Sequence, residues 1–173
     1  KSTASTTFIY ANRHLPLMTG EGSNPPKVCL GFDVHYPCYL NPGFQPDMVT
    51  GKRNANESYF NPNAKKDLGR VIDRCFRPTT ELLLDLLDNG FTCSFISGTV
   101  VERLEAWYPE MLELLSRAAT HRNAELLAQT YYHSVAGQFT DITEFTDEVL
   151  MHRALMKEHF AVVPTTFAHR SEE

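Results

Sequence analysis

Residues 28–34, 91–97 and 124–130 are short runs rich in apolar side chains, and each stops at residues of a different kind: His35-Tyr36-Pro37, Gly98, and Tyr131-Tyr132-His133. Helical spacing fills the gaps between them. A helix over 79–88 follows Pro78 and stops at Asn89-Gly90, and Val101, Leu104 and Trp107 are separated from Met111, Leu112, Leu114 and Leu115 by Pro109. A further helix over 142–160 and a fourth strand starting at 161–163 continue the alternation. Parallel strands need crossover connections and covered faces, so strand–helix repetition predicts an α/β fold with a parallel sheet, or part of a (β/α) barrel. In such folds functional groups gather at the C-terminal ends of the strands, where His35, Ser97 and His133 fall.

The 173 residues, 42% of them hydrophobic, suit one core and one domain. Residues 1–27 are polar and carry Gly20, Gly22, Pro25 and Pro26 close together, which predicts a flexible lead-in before a folded unit over 28–173. Residues 36–63 hold four prolines and two glycines and read as a long loop over the first strand. The start at Lys1 and the stop at Glu173 read as those of a fragment or of a truncated gene product.

Sixteen basic against 21 acidic residues leave a net charge of −5 with no polybasic run, so neither nucleic acid nor an anionic membrane is an expected partner. No stretch reaches the roughly 18 continuous apolar residues of a membrane helix. Cys29, Cys38, Cys75 and Cys93 lack metal-ligand spacing and read as free thiols, which suits a reducing, cytoplasmic setting. No cofactor is expected.

Sugar recognition needs hydrogen-bonding forks for vicinal hydroxyls and aromatic faces for the pyranose ring. Asp33, His35, Glu125, Gln129, Tyr131, Tyr132 and His133 supply both kinds at two strand ends. A lone strand-end histidine is more often structural, and two such clusters in one sheet shift the balance towards function. Glycosidic hydrolysis needs two carboxyl groups about 5–5.5 Å apart in a retaining enzyme. Asp33, Glu125, Glu172 and Glu173 are candidates that spacing alone does not pair. A metal site through Asp33, His35 and His133 is the competing chemistry, although no HxxxH or HExxH spacing accompanies it. His152 and His159, seven apart on the last helix, share one face and read as surface or packing residues.

Ordered segments of the chain resemble glycoside hydrolase family 57, in particular its α-amylase and 4-α-glucanotransferase types. The first is the apolar strand ending in His35-Tyr36-Pro37; then come Tyr59-Phe60-Asn61, Arg77-Pro78 with Glu81, Ser94 to Gly98, and Pro109-Glu110. The run from Asn123 to Ser134 is similar to the family's second signature, and Met151 to Lys157 with Pro164 to Phe167 is similar to the approach to its nucleophile strand.

The resemblance implies about half of a (β/α)7 barrel and an α-glucan or maltooligosaccharide as ligand. It places His35, Glu125 and His133 in the substrate pocket, with Asp33, Gln129, Tyr131 and Tyr132 around them, and implies a retaining mechanism in the intact family. It puts the nucleophilic glutamate at position 171, which is Ser171 here, with Glu172 the nearest carboxylate and out of register. It puts the general acid beyond residue 173. An open half-barrel predicts self-association along its exposed edge. Two alternatives stand beside this reading: a glucan-binding remnant without turnover, and a metal-dependent deacetylase-like barrel built on Asp33, His35 and His133.

Overall fold

The computed structural model describes residues 30–37, 39–44 and 59–168. The expected lead-in, Cys29, Cys38, the middle of the 36–63 loop, and the end of the chain from Ser171 to Glu173 lie outside the described residues.

Among the described residues three parallel strands form the sheet: β1 (Leu30–Val34), β2 (Cys93–Ser97) and β3 (Ala124–Leu126), in the order β1-β2-β3. The registers Leu30↔Cys93↔Ala124 and Phe32↔Phe95↔Leu126 put those side chains on one face of the sheet. Phe95, Cys93, Leu126 and Val34 are buried there, and the Phe32 and Phe95 ring centroids are 6.1 Å apart. Asp33 and Glu125 alternate onto the opposite face. The α/β class and the parallel strands agree with the alternation of the sequence.

Helices cover the apolar face. α1 (Ala64–Val71), a π-helical turn (Ile72–Phe76) and α2 (Arg77–Asp88) run without interruption after β1. α3 (Val100–Trp107) and α4 (Pro109–Ala119) follow β2, and α5 (Thr143–Phe160) follows β3. Leu83 and Leu87 of α2, Leu104 of α3, Met111 and Leu115 of α4, and Met156 and Phe160 of α5 join one core with the sheet. Each such side chain contributes about 1.5–3 kcal/mol of burial.

The helical stretch 64–76 differs from the sequence expectation, which started the helix after Pro78. Ala64, Leu68, Ile72 and Phe76, four residues apart, are all buried and carry one stripe into the core. Pro78 does not start this helix; it sits within it. Proline lacks an N–H and its ring crowds the carbonyl four residues back, and here the helix widens just before it, where the Arg77 N–H donates to the Ile72 carbonyl. The predicted stop holds: Gly90 adopts φ 89° and its N–H donates to the Leu87 carbonyl at 3.1 Å. The break at Pro109 also holds, with proline at the first position of α4.

The fourth strand expected from 161–163 is not formed among the described residues. Ala161 turns left-handed at φ 55° and caps α5, so residues 161–163 leave the helix and do not enter the sheet. The chain rejoins only at Phe167, beside Ala128, through the Ala128 N–H to the Thr166 carbonyl and the Ala168 N–H to the Ala128 carbonyl, both 2.8 Å. This isolated parallel bridge lies beyond the end of β3. Upstream, the two described ends of the long loop meet in an antiparallel bridge, Leu40↔Phe60, with Phe44 stacked on Tyr59 at 4.3 Å.

Candidate functional site

The strand ends of β1 and β3 converge past the sheet's C-terminal edge. Asp33 occupies the open face near the end of β1, and His35 follows two residues later. His133 reaches them from the segment after β3: its Nε2 is 3.8 Å from Asp33 Oδ1, and its ring lies 4.1 Å from that of His35, tilted by 51°. The His133 and Asp33 side chains are only 9% and 16% exposed, so the imidazole and carboxylate interact in a largely desolvated setting.

Gly98, at the end of β2, makes this approach possible. A β-carbon at that position would stand 2.9 Å from Gln129 Nε2 and 3.0 Å from the Tyr131 carbonyl oxygen, with His133 Cδ2 at 3.8 Å. Glycine lets the segment after β3 fold against β2 at this closeness. Gln129 and Thr130 are buried behind it. The His133 N–H donates to the Thr130 carbonyl at 3.2 Å, closing a turn in which His133 itself is left-handed at φ 55°.

Of the two tyrosines in that turn, Tyr131 is buried and Tyr132 is exposed, with their rings edge-on at 4.8 Å. Tyr132 therefore offers an aromatic face to solvent. Burial pushes the Tyr131 hydroxyl above the ordinary tyrosine value, and its hydrogen bond to Glu102 of α3 adds to the shift. Burial likewise raises Tyr36, reinforced by the negative charge of Asp67, and the Tyr36 hydroxyl donates to the Ala64 carbonyl at 3.3 Å.

A pH dependence follows from these shifts. Both phenols stay protonated in the folded protein at a pH where the unfolded chain, near 10.0, begins to ionise. Stability is therefore fully present below about pH 10 and falls as the pH climbs beyond it. In a phenolate absorbance titration at least two of the seven tyrosines should ionise only together with unfolding. Free titration of all seven near their ordinary value, with the fold intact by circular dichroism, would contradict this.

Glu125 lies apart from the cluster. It shares the open face with Asp33 but is level with Ser94 and Gly31, two residues or about 7 Å nearer the start of the strands, and two strands across. Its carboxylate accepts a 2.6 Å hydrogen bond from the Thr166 hydroxyl and borders a cavity of about 200 Å³ near Val162 and Pro164. A larger groove of about 440 Å³ lies on the helix side, between Tyr36 and Tyr39 and the α1 residues Asp67, Arg70 and Val71, with Arg74 and Cys75 beyond them. It is separate from the histidines. Glu172 lies outside the described residues.

Three contributors escaped the sequence reading: Gly98 as a contact surface, Glu102, and Glu148 of α5. Glu148 is 2% exposed, and its Oε2 accepts the Tyr132 N–H at 2.9 Å. A buried acid one turn before the buried His152 on an otherwise core-facing stripe was the available signal. His152 packs within the protein, and His159 faces Glu105 at 3.9 Å, so both histidines are packing residues and not solvated ones.

Among the described residues no group of three or more His, Cys, Asp or Glu side chains is arranged to hold a metal ion. The deacetylase-like alternative gains no support from them. Cys75 is a free thiol, and no described helix is long and apolar enough to cross a membrane.

The sequence model of glycosyl hydrolase family 57 matches residues 29–170. A protein of Methanocaldococcus jannaschii described as "putative alpha-amylase" is 31% identical over 146 residues, which cover 81% of this chain and 30% of that protein. The chain thus spans less than a third of that relative's length. No solved structure matches it. The family match runs from the strand that carries Asp33 and His35, through the turn that brings His133 to them, to the bridge at Phe167, and the chain belongs to glycosyl hydrolase family 57.

Proposed function

We propose that this chain forms one wall of the α-1,4-glucan site of a family 57 catalytic barrel and binds maltooligosaccharides. The observation that carries the reading is the meeting of Asp33 and His35 with His133 at the C-terminal edge of a parallel sheet, with distances of 3.8 and 4.1 Å. A carboxylate and two imidazoles offer donors and acceptors for vicinal hydroxyls. The exposed ring of Tyr132 offers a face for the pyranose. The resemblance supports Gln129 and Tyr131 as the layer beneath, and Glu125 as a carboxylate lower on the face that a closed barrel would enclose.

Retaining hydrolysis asks for two carboxyl groups about 5–5.5 Å apart. Asp33 stands beside histidines, and Glu125 is two strands away. Ser171 stands where the resemblance expects the nucleophile. The chain's contribution is therefore binding and orientation of the glucan, with the catalytic carboxylates supplied from outside the described residues. Ser171 also favours the second reading, a glucan-binding protein without turnover. β1 pairs with β2 on one side, and its other edge is where further strands of a barrel or a second copy of the chain would pair. The free thiol of Cys75 suits a cytoplasmic setting.

Calorimetric titration with maltoheptaose, beside an assay for released reducing ends, tests the proposal. Binding is expected, and His133→Ala should weaken it about tenfold through loss of hydrogen bonds to the sugar. A chain that binds no maltooligosaccharide overturns the reading. Turnover by the chain alone overturns the second reading, a glucan-binding protein without turnover.

A further inference from the structure

We infer that Glu148 is a positioning residue for the candidate site: its buried carboxylate holds the backbone of the 131–133 turn from behind and so sets His133 against Asp33 and His35.

The turn does not sustain itself. A left-handed non-glycine residue costs about 1–2 kcal/mol, and His133 stands at φ 55°. Two hydrogen bonds of 3.2 and 3.3 Å, from the His133 N–H to the Thr130 carbonyl and from the Thr130 hydroxyl to the Ser134 carbonyl, close it. Such a conformation persists only where the surroundings determine it more strongly than the local cost opposes it.

Two holds come from different helices. α3 contributes Glu102, whose carboxylate helps to raise the pKa of the buried Tyr131 hydroxyl. α5 contributes Glu148, whose Oε2 accepts the Tyr132 N–H at 2.9 Å. The first hold fastens a side chain two residues before His133, and the second fastens the backbone one residue before it. Glu148 therefore governs where the His133 backbone lies, whereas Tyr132 remains 58% exposed as a residue and able to meet a ligand.

The burial of Glu148 makes this hold strict. A carboxylate that is 2% exposed is costly to leave without hydrogen bonds, and a backbone N–H inside the protein is costly to leave without an acceptor. The one contact satisfies the Tyr132 N–H and one of the two carboxylate oxygens. Helix α5 thereby transmits its position, fixed by Leu155, Met156 and Phe160 in the core, to the strand-end turn.

The effect on sugar affinity rests on the glucan-binding reading; the hold itself does not. Glu148→Leu and Glu148→Gln would be made in the full chain and followed by amide hydrogen exchange, by the His133 imidazole resonance, and by maltoheptaose titration. The leucine variant should speed exchange at Tyr132 and His133 about tenfold or more while leaving the Phe95 amide unchanged, since one acceptor is lost. It should shift the His133 resonance and weaken maltoheptaose binding about tenfold. Glutamine retains an acceptor oxygen and should restore all three, which a general loss of packing would not allow.

Unchanged exchange at Tyr132 in the leucine variant overturns the inference, as does equal loss in both variants. Should the leucine variant fail to fold, the wild type still decides: its Tyr132 amide should exchange at least about tenfold more slowly than an unstructured amide, and free exchange there overturns the hold. Slow exchange together with absent glucan binding keeps the hold and removes the sugar reading alone.

Discussion

Phe95→Ala is expected to lower the unfolding free energy by about 3–5 kcal/mol, more than any substitution at the strand-end site should. Phe95 is 1% exposed on the central strand, paired to Phe32 on one side and Leu126 on the other. Truncation removes a large apolar surface and leaves a cavity that two flanking strands and the helix layer can fill only by moving together. A small domain has about 5–15 kcal/mol in total, so much of the variant would be unfolded near its working temperature. Denaturant unfolding measures the change, with Phe95→Leu as an intermediate. A loss below about 1 kcal/mol would show that the side chain is not locked into the core as described.

Gly98→Val should have the largest effect on the site. Its β-carbon alone would approach the Tyr131 carbonyl to 3.0 Å and Gln129 Nε2 to 2.9 Å, and two methyl groups extend further. Gln129 and Tyr131 are both buried and have little room to yield. Overpacking of this kind costs about 1–3 kcal/mol, and the route of relief is displacement of the 131–133 turn away from β2. On the proposed glucan-binding reading, maltoheptaose affinity should therefore fall about tenfold or more while the α/β signature in circular dichroism persists, the fold-change corresponding to roughly 1.4 kcal/mol. Affinity equal to that of the wild type would mean that the turn tolerates the displacement and that its closeness to β2 does not matter for binding.

The two variants probe different layers of the same structure. Phe95 lies on the helix-covered face, where loss is general. Gly98 lies at the strand end, where the histidine of β3's turn is placed against β1. Glu148 approaches the same turn from α5.

Much of this organisation was legible in the residues. Leu82 to Leu87 between Pro78 and Gly90, and the two helical pieces divided at Pro109, announced their helices through spacing and punctuation. The helix over 64–76 was obscured because Lys65, Lys66, Asp67, Gly69 and Arg70 dilute its apolar stripe and Pro78 reads as a start. The buried stripe at every fourth residue outweighed both. Val162 and Val163 read as a strand by type, but a left-handed Ala161 directs the chain outward first. At the site, Asp33, His35 and His133 stood out because strand ends are where such residues matter. Glu125, also a strand residue, stands lower because register, which its sequence neighbours do not reveal, sets its level.

Local periodicity and punctuation depend on neighbours along the chain, and they determined the strand–helix alternation, the parallel sheet it requires, and the strand ends at which His35 and the 131–133 segment stand. Family membership was also visible there, in the order of the segments. Which strand lies between which, and in what register, depends on contacts between residues far apart in sequence. Only the folded chain decided that β2 separates β1 from β3, that Gly98 lets His133 cross over it to Asp33 and His35, and that the carboxylate of Glu148 reaches the turn from a helix beyond. Each of those placements is decided by packing in three dimensions, to which no single segment's composition is sensitive.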